Sequence, residues 1–228
     1  VKEETKNTSL LAKCMSLCSD AVLDETKNAT GEPTECALVN YAYSLGLDKK
    51  DLEDEMPRVS ELPFDSNRKM MSTVHKYGDK YIQFTKGAPD EILKRCKYYL
   101  DGENTEPLTD SISERLNSEN KNMADSALRV LSGAYRIYDT LPEKLSSESN
   151  ENELVFIGHY GMIDPVRPEV KAAIVQCKAA GVRPVMITGD HISTAVAIAK
   201  ELGIVTSADE AITGAMLDDY TDEEFAKI

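Results

Sequence analysis

Two segments of the sequence combine residue types that suit the binding of a nucleotide. In Lys86-Gly87-Ala88-Pro89, Lys86 supplies a cation and Gly87 lets a ligand approach the backbone closely. Phe64 precedes a polar run that ends in Arg68-Lys69. A base can stack on an aromatic ring while its phosphates pair with neighbouring cations. Taken alone, Lys86 to Pro89 fits an ordinary turn better than a ligand site.

Two further segments stand at predicted helix starts. A carboxylate such as Glu35 at a helix start usually compensates the helix dipole, although it can also accept a hydrogen bond from an exocyclic amine. Thr188-Gly189-Asp190 follows a predicted buried strand and precedes a helix, a place where open α/β sheets bind ligands. Backbone amides and the Thr188 hydroxyl can hold phosphoryl oxygens there, while Asp190 caps the helix or orients a positive group. A plain capping turn is the alternative, and the sequence has neither a P-loop nor a dinucleotide fingerprint.

Charge is distributed unevenly along the chain. The 228 residues carry a formal net charge of -14, which disfavours nucleic-acid and anionic-membrane partners. Residues 68–97 nevertheless hold eight Lys and Arg against three Asp and Glu. This basic stretch fits either a solvated charged face or a site for a compact polyanion such as a nucleotide.

The elements predicted for the first half are mixed. Helical spacing of apolar residues starts at Leu10, and Pro33 opens a second helix that ends near Gly46. Extended segments follow, two of them joined as a hairpin through Gly78-Asp79. The predicted strands are 58–62, 70–77, 80–85 and 129–138. Later helices are predicted at 89–96 and after Thr109. The first half is therefore predicted to be an α+β domain with an antiparallel sheet.

The second half has a different pattern. Residues 145–153 are polar without apolar periodicity, which predicts a mobile surface loop. Strand 154–163, helix 168–180, strand 182–188 and helix 191–202 then follow as a βαβα order, which is typical of parallel sheets. We therefore predict two domains, 1–150 and 151–228, the second being a partial α/β domain.

Length and composition narrow the class of protein. The chain can close a sizeable core, and its apolar runs are far shorter than the roughly 20 residues of a membrane helix. Five cysteines without a C-x-x-C pair indicate reduced thiols in a cytosolic compartment. The sequence begins at Val1 without an initiator Met or a charged-then-apolar signal pattern, so we expect a processed chain or a piece of a longer one.

The motifs together resemble those of the P-type cation-transporting ATPases, of the calcium-pump-like type II class. Thr30 to Glu35, Pro63 to Ser72 and Thr85 to Asp90 resemble that family's nucleotide-binding domain in kind and order. Asp164-Pro165-Val166-Arg167 and Met186 to Asp190 resemble its hinge and its haloacid-dehalogenase-type, Rossmann-like phosphorylation domain. The resemblance covers nearly the whole chain. The heavy-metal branch of the family uses a His-Pro pair at its adenine site. No His of this chain is followed by Pro, which disfavours that branch.

The resemblance implies roles for individual residues. Phe64 stacks on adenine, and Glu35 faces its amino group. The other implied residues are Lys69, Lys86 and Arg129 lining the nucleotide, Gly87 and Ala88 flanking the ring, Asp164 and Arg167 at the hinge, and Thr188, Gly189 and Asp190 near the transferred phosphoryl group. Members often have Arg two residues after the Phe, where this chain has Ser66, so Arg68 is expected to compensate or affinity to drop.

The resemblance also implies what lies outside this chain. The phosphorylated Asp of a D-K-T-G-T motif is expected before Val1, and a G-D-G-x-N-D magnesium motif after Ile228. The chain is therefore expected to bind ATP without turning it over, with Mg²⁺ held in the parent pump. Its partners are then the transmembrane and actuator domains of a membrane-embedded pump, and calcium is favoured by likeness alone, sodium or protons being alternatives.

Two other functions are alternatives to nucleotide binding in a pump. A soluble phosphatase of the haloacid-dehalogenase superfamily needs an early D-x-D nucleophile after an apolar strand, and Asp24-Glu25-Thr26 is a poor substitute. A non-catalytic acidic interaction module predicts no response to ATP. Phosphate release from a simple phosphoester distinguishes the first, and ATP-induced chemical-shift changes distinguish the second.

Overall fold

The structure is a computed structural model that describes residues 6–126, 128–163, 168–188, 192–218 and 220–221. These residues pack as two compact units. Unit 1 lies within Val1–Asn120 and Val130–Tyr160, and unit 2 within Lys121–Arg129 and Gly161–Ile228. The domain boundary predicted at residue 150 stays a prediction.

The helices and strands follow in chain order. The helices are α1 (Lys6–Leu17), α2 (Pro33–Ser44), α3 (Lys49–Glu55), α4 (Pro89–Arg95), α5 (Asp110–Asp125), α6 (Ser147–Asn150), α7 (Pro168–Ala179), α8 (Ile192–Glu201) and α9 (Gly214–Asp218), with a 3-10 turn at Ala208–Glu210. The strands are β1 (Val22–Leu23), β2 (Ala29–Thr30), β3 (Arg58–Asp65), β4 (Met70–Tyr77), β5 (Lys80–Gly87), β6 (Cys96–Asp101), β7 (Asn104–Pro107), β8 (Arg129–Tyr138) and β9 (Leu154–Met162).

Seven strands form one mixed sheet in the order β3-β4-β5-β8-β9-β6-β7. The β4–β5 hairpin closes at Tyr77↔Lys80 through Gly78-Asp79, as predicted, with Gly78 at a φ of 59°. A mixed sheet with flanking helices agrees with the predicted α+β class. The prediction of a wholly antiparallel sheet was wrong, because β6 pairs with β9 in parallel.

Alternating side chains give the sheet two buried faces. Met71, Ile82 and Phe84 pack with Cys14 and Leu17 of α1 on one face. On the other face, the buried cluster joins Met70 to residues of α4, α5 and β9: Ile92, Leu93, Leu116, Leu154 and Phe156. Because successive residues of a strand point to opposite faces, Met70 and Met71 serve different clusters.

The polar segment 145–153 is anchored, which corrects the prediction of a mobile loop. Asn150 and Glu151 are buried, and Glu151 has no exposed surface. The Gln83 amide donates to the Asn150 carbonyl at 3.2 Å, and the Asn150 amide donates to the Tyr138 hydroxyl at 3.2 Å. Buried polar groups with hydrogen-bond partners hold a segment in place without apolar periodicity.

Unit 2 contains α7 and α8, near the ranges predicted as helices. The strand predicted at 182–188 is absent from the described residues. Ile187 is 92% exposed and Val185 is 72% exposed, although the sequence pattern predicted a buried strand. A strand requires neighbours that pair its backbone groups, and the described residues provide none for this segment. The βαβα order is therefore not observed, and Leu154–Met162 instead joins the mixed sheet.

Candidate functional site

One end of the sheet gathers the motif residues of unit 1. Met70 pairs with Gly87, and Met71 pairs with Lys86. Phe64 lies between the β3 pairs Leu62↔Ser72 and Asp65↔Met70, where the register shifts. Since neighbouring strands are about 5 Å apart, Phe64 and Lys86 stand roughly 10 Å apart on strands that flank β4.

Lys86 and Glu35 form a buried ion pair. The Lys86 ammonium donates to Glu35 Oε1 at 2.6 Å, while the amides of Asp20 and Ala21 donate to Oε2 at 2.8 and 3.1 Å. Burial alone would raise the pKa of Glu35, but the hydrogen bond and charge of Lys86 and the Asp20 amide outweigh burial and hold that pKa below its ordinary value. A charged carboxylate is thus fixed at the first turn of α2, where Pro33 starts the helix.

Two cations that the sequence analysis missed hold the loop beneath Glu35. The Lys49 ammonium is buried and donates to the carbonyls of Ser19 and Ala21 at 2.7 and 2.5 Å. Arg58 donates to the Ser19 carbonyl at 2.6 Å and to Asp20 Oδ1 at 2.8 Å. With its carbonyls bound to cations, this loop directs its amides at Glu35. No sequence signal distinguished Lys49 or Arg58 from solvated surface cations.

The backbones of Lys69 and Gly87 lie so close together that each limits the conformation of the other. Lys69 has a φ of 54°, in the left-handed region that non-glycine residues rarely adopt. Its carbonyl accepts from the Ala88 amide at 2.9 Å. A Cβ on Gly87 would lie 2.5 Å from that Lys69 oxygen, so only glycine fits there. This close approach places the Lys69 backbone against Gly87 and Ala88, and the Lys69 side chain is exposed.

Phe64 keeps its ring in solvent at the same end of the sheet. Phe64 is 64% exposed, so a face of its ring is open to a ligand. The following turn is closed by Asp65, whose side chain accepts from the Asn67 and Arg68 amides at 2.9 Å. Unit 1 therefore presents an open aromatic face, an exposed cation at Lys69 and a buried Lys86–Glu35 pair.

Comparisons with known proteins identify the family of this chain. Residues 7–169 match the family model described as the cytoplasmic domain N of P-type ATPases. The chain belongs to this family. An N domain of a P-type ATPase thus accounts for most of unit 1, as the motif resemblance predicted. The matched model describes a cytoplasmic domain, and among the described residues no helix is long and apolar enough to cross a bilayer.

Curated relatives of this P-type ATPase chain carry names of calcium transporters. Calcium-transporting ATPase 1 of Bacillus cereus is 46% identical over 95% of the chain. Calcium-transporting ATPase 1 of Lactococcus lactis is 40% identical over 94%, and calcium-transporting ATPase lmo0841 of Listeria monocytogenes is 39% identical over 92%. The chain spans about a quarter of the length of these relatives, 24% of each.

The remaining predicted site residues belong to unit 2 or lie outside the described residues. Arg129 is exposed at the start of β8 and belongs to unit 2, as does the exposed Thr188. Four residues lie outside the described residues: Gly189, Asp190, Asp164 and Arg167. Their roles in a P-type ATPase stay predictions.

The described ranges also contain no set of three or more His, Cys, Asp or Glu side chains arranged to hold a metal. The Mg²⁺ expected with ATP is therefore assigned no residue in this part of the chain.

Proposed function

We propose that this chain binds ATP at the end of the sheet formed by Phe64, Lys69 and the Lys86–Glu35 pair. The supporting observation is the Phe64 ring, 64% exposed beside a cationic turn. An exposed ring in water offers a stacking face for adenine, and such a contact contributes about 1 to 3 kcal/mol. Glu35 would face the adenine amino group, and Gly87 and Ala88 would flank the ring.

Lys69 would be the main cation on the polyphosphate, with Lys86 close by in its pair with Glu35. Lys69 is exposed, and Lys86 is fixed by Glu35, so the two differ in how freely they can follow a phosphate. Position 66 is an exposed Ser, where members of the family often have Arg. Arg68 does not compensate for that Arg, because it is paired with Glu151. We therefore expect weak binding, with a dissociation constant of about 1 mM, which corresponds to roughly -4 kcal/mol.

In the parent protein, ATP bound here would supply the γ-phosphate to an Asp outside this chain. The calcium-transporting names of the relatives support a calcium pump as that parent. Arg129, Asp164, Arg167 and the Thr188-Gly189-Asp190 segment would act in hinge closure and phosphoryl transfer. Bound Mg²⁺ would neutralise charge on the transferring phosphate, with ligands mainly outside this chain. Alone, the chain should bind ATP without hydrolysing it.

The test is calorimetric and NMR titration of the chain with ATP. Phe64→Ala should weaken ATP and adenosine binding by about 1 to 3 kcal/mol, because both lose the stacking face. Tyr77→Ala is the matched control, since Tyr77 is a half-exposed ring at the opposite end of β4 and should leave affinity unchanged. Equal affinities for wild type and Phe64→Ala, or no response to ATP, would overturn the proposal.

A further inference from the structure

Arg68 connects the Phe64 turn to a distant part of unit 1. One arm of its guanidinium, Nη2, donates to the carbonyl of Pro63 at 2.6 Å. The other arm, Nη1, donates to Oε1 of Glu151, which lies 83 residues further along the chain. Because Pro63 directly precedes Phe64, the guanidinium holds the backbone from which the exposed ring projects. Arg68 thus binds both the ring's own strand and a remote carboxylate.

Glu151 is an unusual partner for a surface turn. Its side chain is fully buried, and Oε1 also accepts from the Ser72 hydroxyl at 2.9 Å. Its other oxygen, Oε2, is buried and has no hydrogen-bond partner among the described residues. A carboxylate buried with one oxygen unpaired costs folding free energy, so packing alone does not explain its presence.

The segment that carries Glu151 is itself held rigidly. The Ser72 hydroxyl lies 2.9 Å from the Thr85 hydroxyl, and the Gln83 amide donates to that same Thr85 oxygen at 3.0 Å. Gln83 Oε1 accepts from Tyr138 at 2.8 Å. A connected and buried network fixes the position of each member. Glu151 therefore gives Arg68 an anchor that does not move with the exposed turn.

We propose that Glu151 is a positioning residue for the purine site: through Arg68 and the Pro63 carbonyl, it holds the Phe64 ring in the orientation that stacks on a base. The inference rests on the proposed nucleotide binding. It also assigns Arg68 a structural task, so that its charge is neutralised by Glu151 and is not available to the polyphosphate. Glu151 touches no nucleotide in this scheme.

The experiment compares Glu151→Gln with Glu153→Gln in the full chain. Glutamine keeps the shape of residue 151 and removes its charge, which weakens the hold on Arg68. Glu153 is the matched control, because it lies two residues away and its pairs with Lys97 and Arg136 are exposed. Affinities for ATP, adenosine and inorganic triphosphate, together with thermal midpoints, are measured for each variant.

Glu151→Gln should weaken ATP and adenosine binding by about 3- to 30-fold, the range of measured couplings through packed groups. The thermal midpoint should fall, because Arg68 loses the charge of a buried partner. Triphosphate binding should nevertheless stay near that of wild type, whereas a purely structural role would weaken triphosphate and adenosine binding alike. The effect should vanish in the Phe64→Ala background, because no stacking remains to be positioned. Glu153→Gln should match wild type throughout.

Three results would overturn the inference. If Glu151→Gln strengthens ATP and triphosphate binding, the released Arg68 serves the phosphates and Glu151 opposes binding. If wild type and Phe64→Ala behave as proposed but Glu151→Gln binds like wild type, the positioning role alone fails. If wild type does not bind ATP, the proposed function fails and this inference fails with it.

Discussion

Lys86 and Glu35 stand 51 residues apart in the sequence, yet a 2.6 Å hydrogen bond joins their side chains beneath the end of the sheet. Lys86 lies near the end of β5, and Glu35 lies in the first turn of α2. Each occupies a motif that separately fits nucleotide binding. The pair couples these motifs before any ligand arrives, so a change in either residue affects both.

Breaking this pair should destabilise unit 1. Lys86→Met keeps the aliphatic stem but leaves Glu35 without its cation, and we expect a loss of about 2 kcal/mol, below the range for fully buried pairs because both groups are slightly exposed. Glu35→Gln should cost a similar amount, and the double variant less than the sum. Urea unfolding at pH 7 measures all three, and strict additivity would contradict the coupling.

The Lys86–Glu35 pair predicts that the stability of unit 1 depends on pH in the acidic range. Because the folded pKa of Glu35 lies below its ordinary value of 4.5, its contribution to stability is complete above pH 4.5 and is lost as the pH falls through the folded pKa. Glu35→Gln should remove this part of the acid sensitivity. Wild type and Glu35→Gln should thus converge in stability at low pH, and a constant difference from pH 7 to 3 would refute the prediction.

His75 should make a second pH-dependent contribution. Burial lowers its pKa from 6.5 to about 4, and its neutral ring donates from Nδ1 to the Met56 carbonyl at 2.9 Å. The unfolded chain binds this proton near pH 6.5 but the folded chain only near pH 4. The free energy of unfolding therefore falls by about 3 kcal/mol as the pH is lowered from 6.5 to 4. An NMR titration should show the His75 ring titrating near pH 4. His75→Gln should lack this slope, and a ring pKa near 6.5 would contradict the burial.

Gly87→Ala tests the close approach of the Gly87 and Lys69 backbones. The new Cβ would lie 2.5 Å from the Lys69 oxygen and 2.6 Å from Met70 Cβ, so the backbone must shift. We expect a loss of about 2 to 3 kcal/mol in urea unfolding. Gly214→Ala is the control, since its Cβ meets no atom within 4 Å, and it should change stability by less than about 0.5 kcal/mol. Equal midpoints for the two variants would show that the backbone accommodates a methyl group.

Local signals predicted the parts of the fold that neighbouring residues determine. Pro33 starts α2, and Gly78-Asp79 turns the β4–β5 hairpin, because each acts through its own backbone preferences. Strand β6 was missed, since its ladder joins β9 more than fifty residues later and its side chains show no regular alternation. Strand β7 pairs with β6 across the short turn at 102–103, but all four of its residues are exposed, so it carries no apolar pattern that could reveal a strand. Non-local pairing leaves little trace in a single segment.

The candidate site shows the same limit. The residue types at Phe64, Lys69 and Lys86 predicted a nucleotide site, but their pattern did not show that Glu35 and Lys86 bind each other. Glu151 lies in a polar run that predicted a mobile loop, and a buried carboxylate there is visible only through its tertiary partners. Charged residues in hydrophilic segments are predicted to be exposed to solvent unless their contacts with distant elements are known.

The parallel pairing of β6 with β9 also sets an order of assembly. The β4–β5 hairpin needs only contiguous residues and can close early, whereas β9 must return across the sheet after the segment that bears Glu151 has been made. During synthesis, the aromatic turn therefore exists before the carboxylate that restrains it. A nascent chain halted short of residue 151 would display the Phe64 ring on an untethered turn, exposed to chaperones and to misassembly.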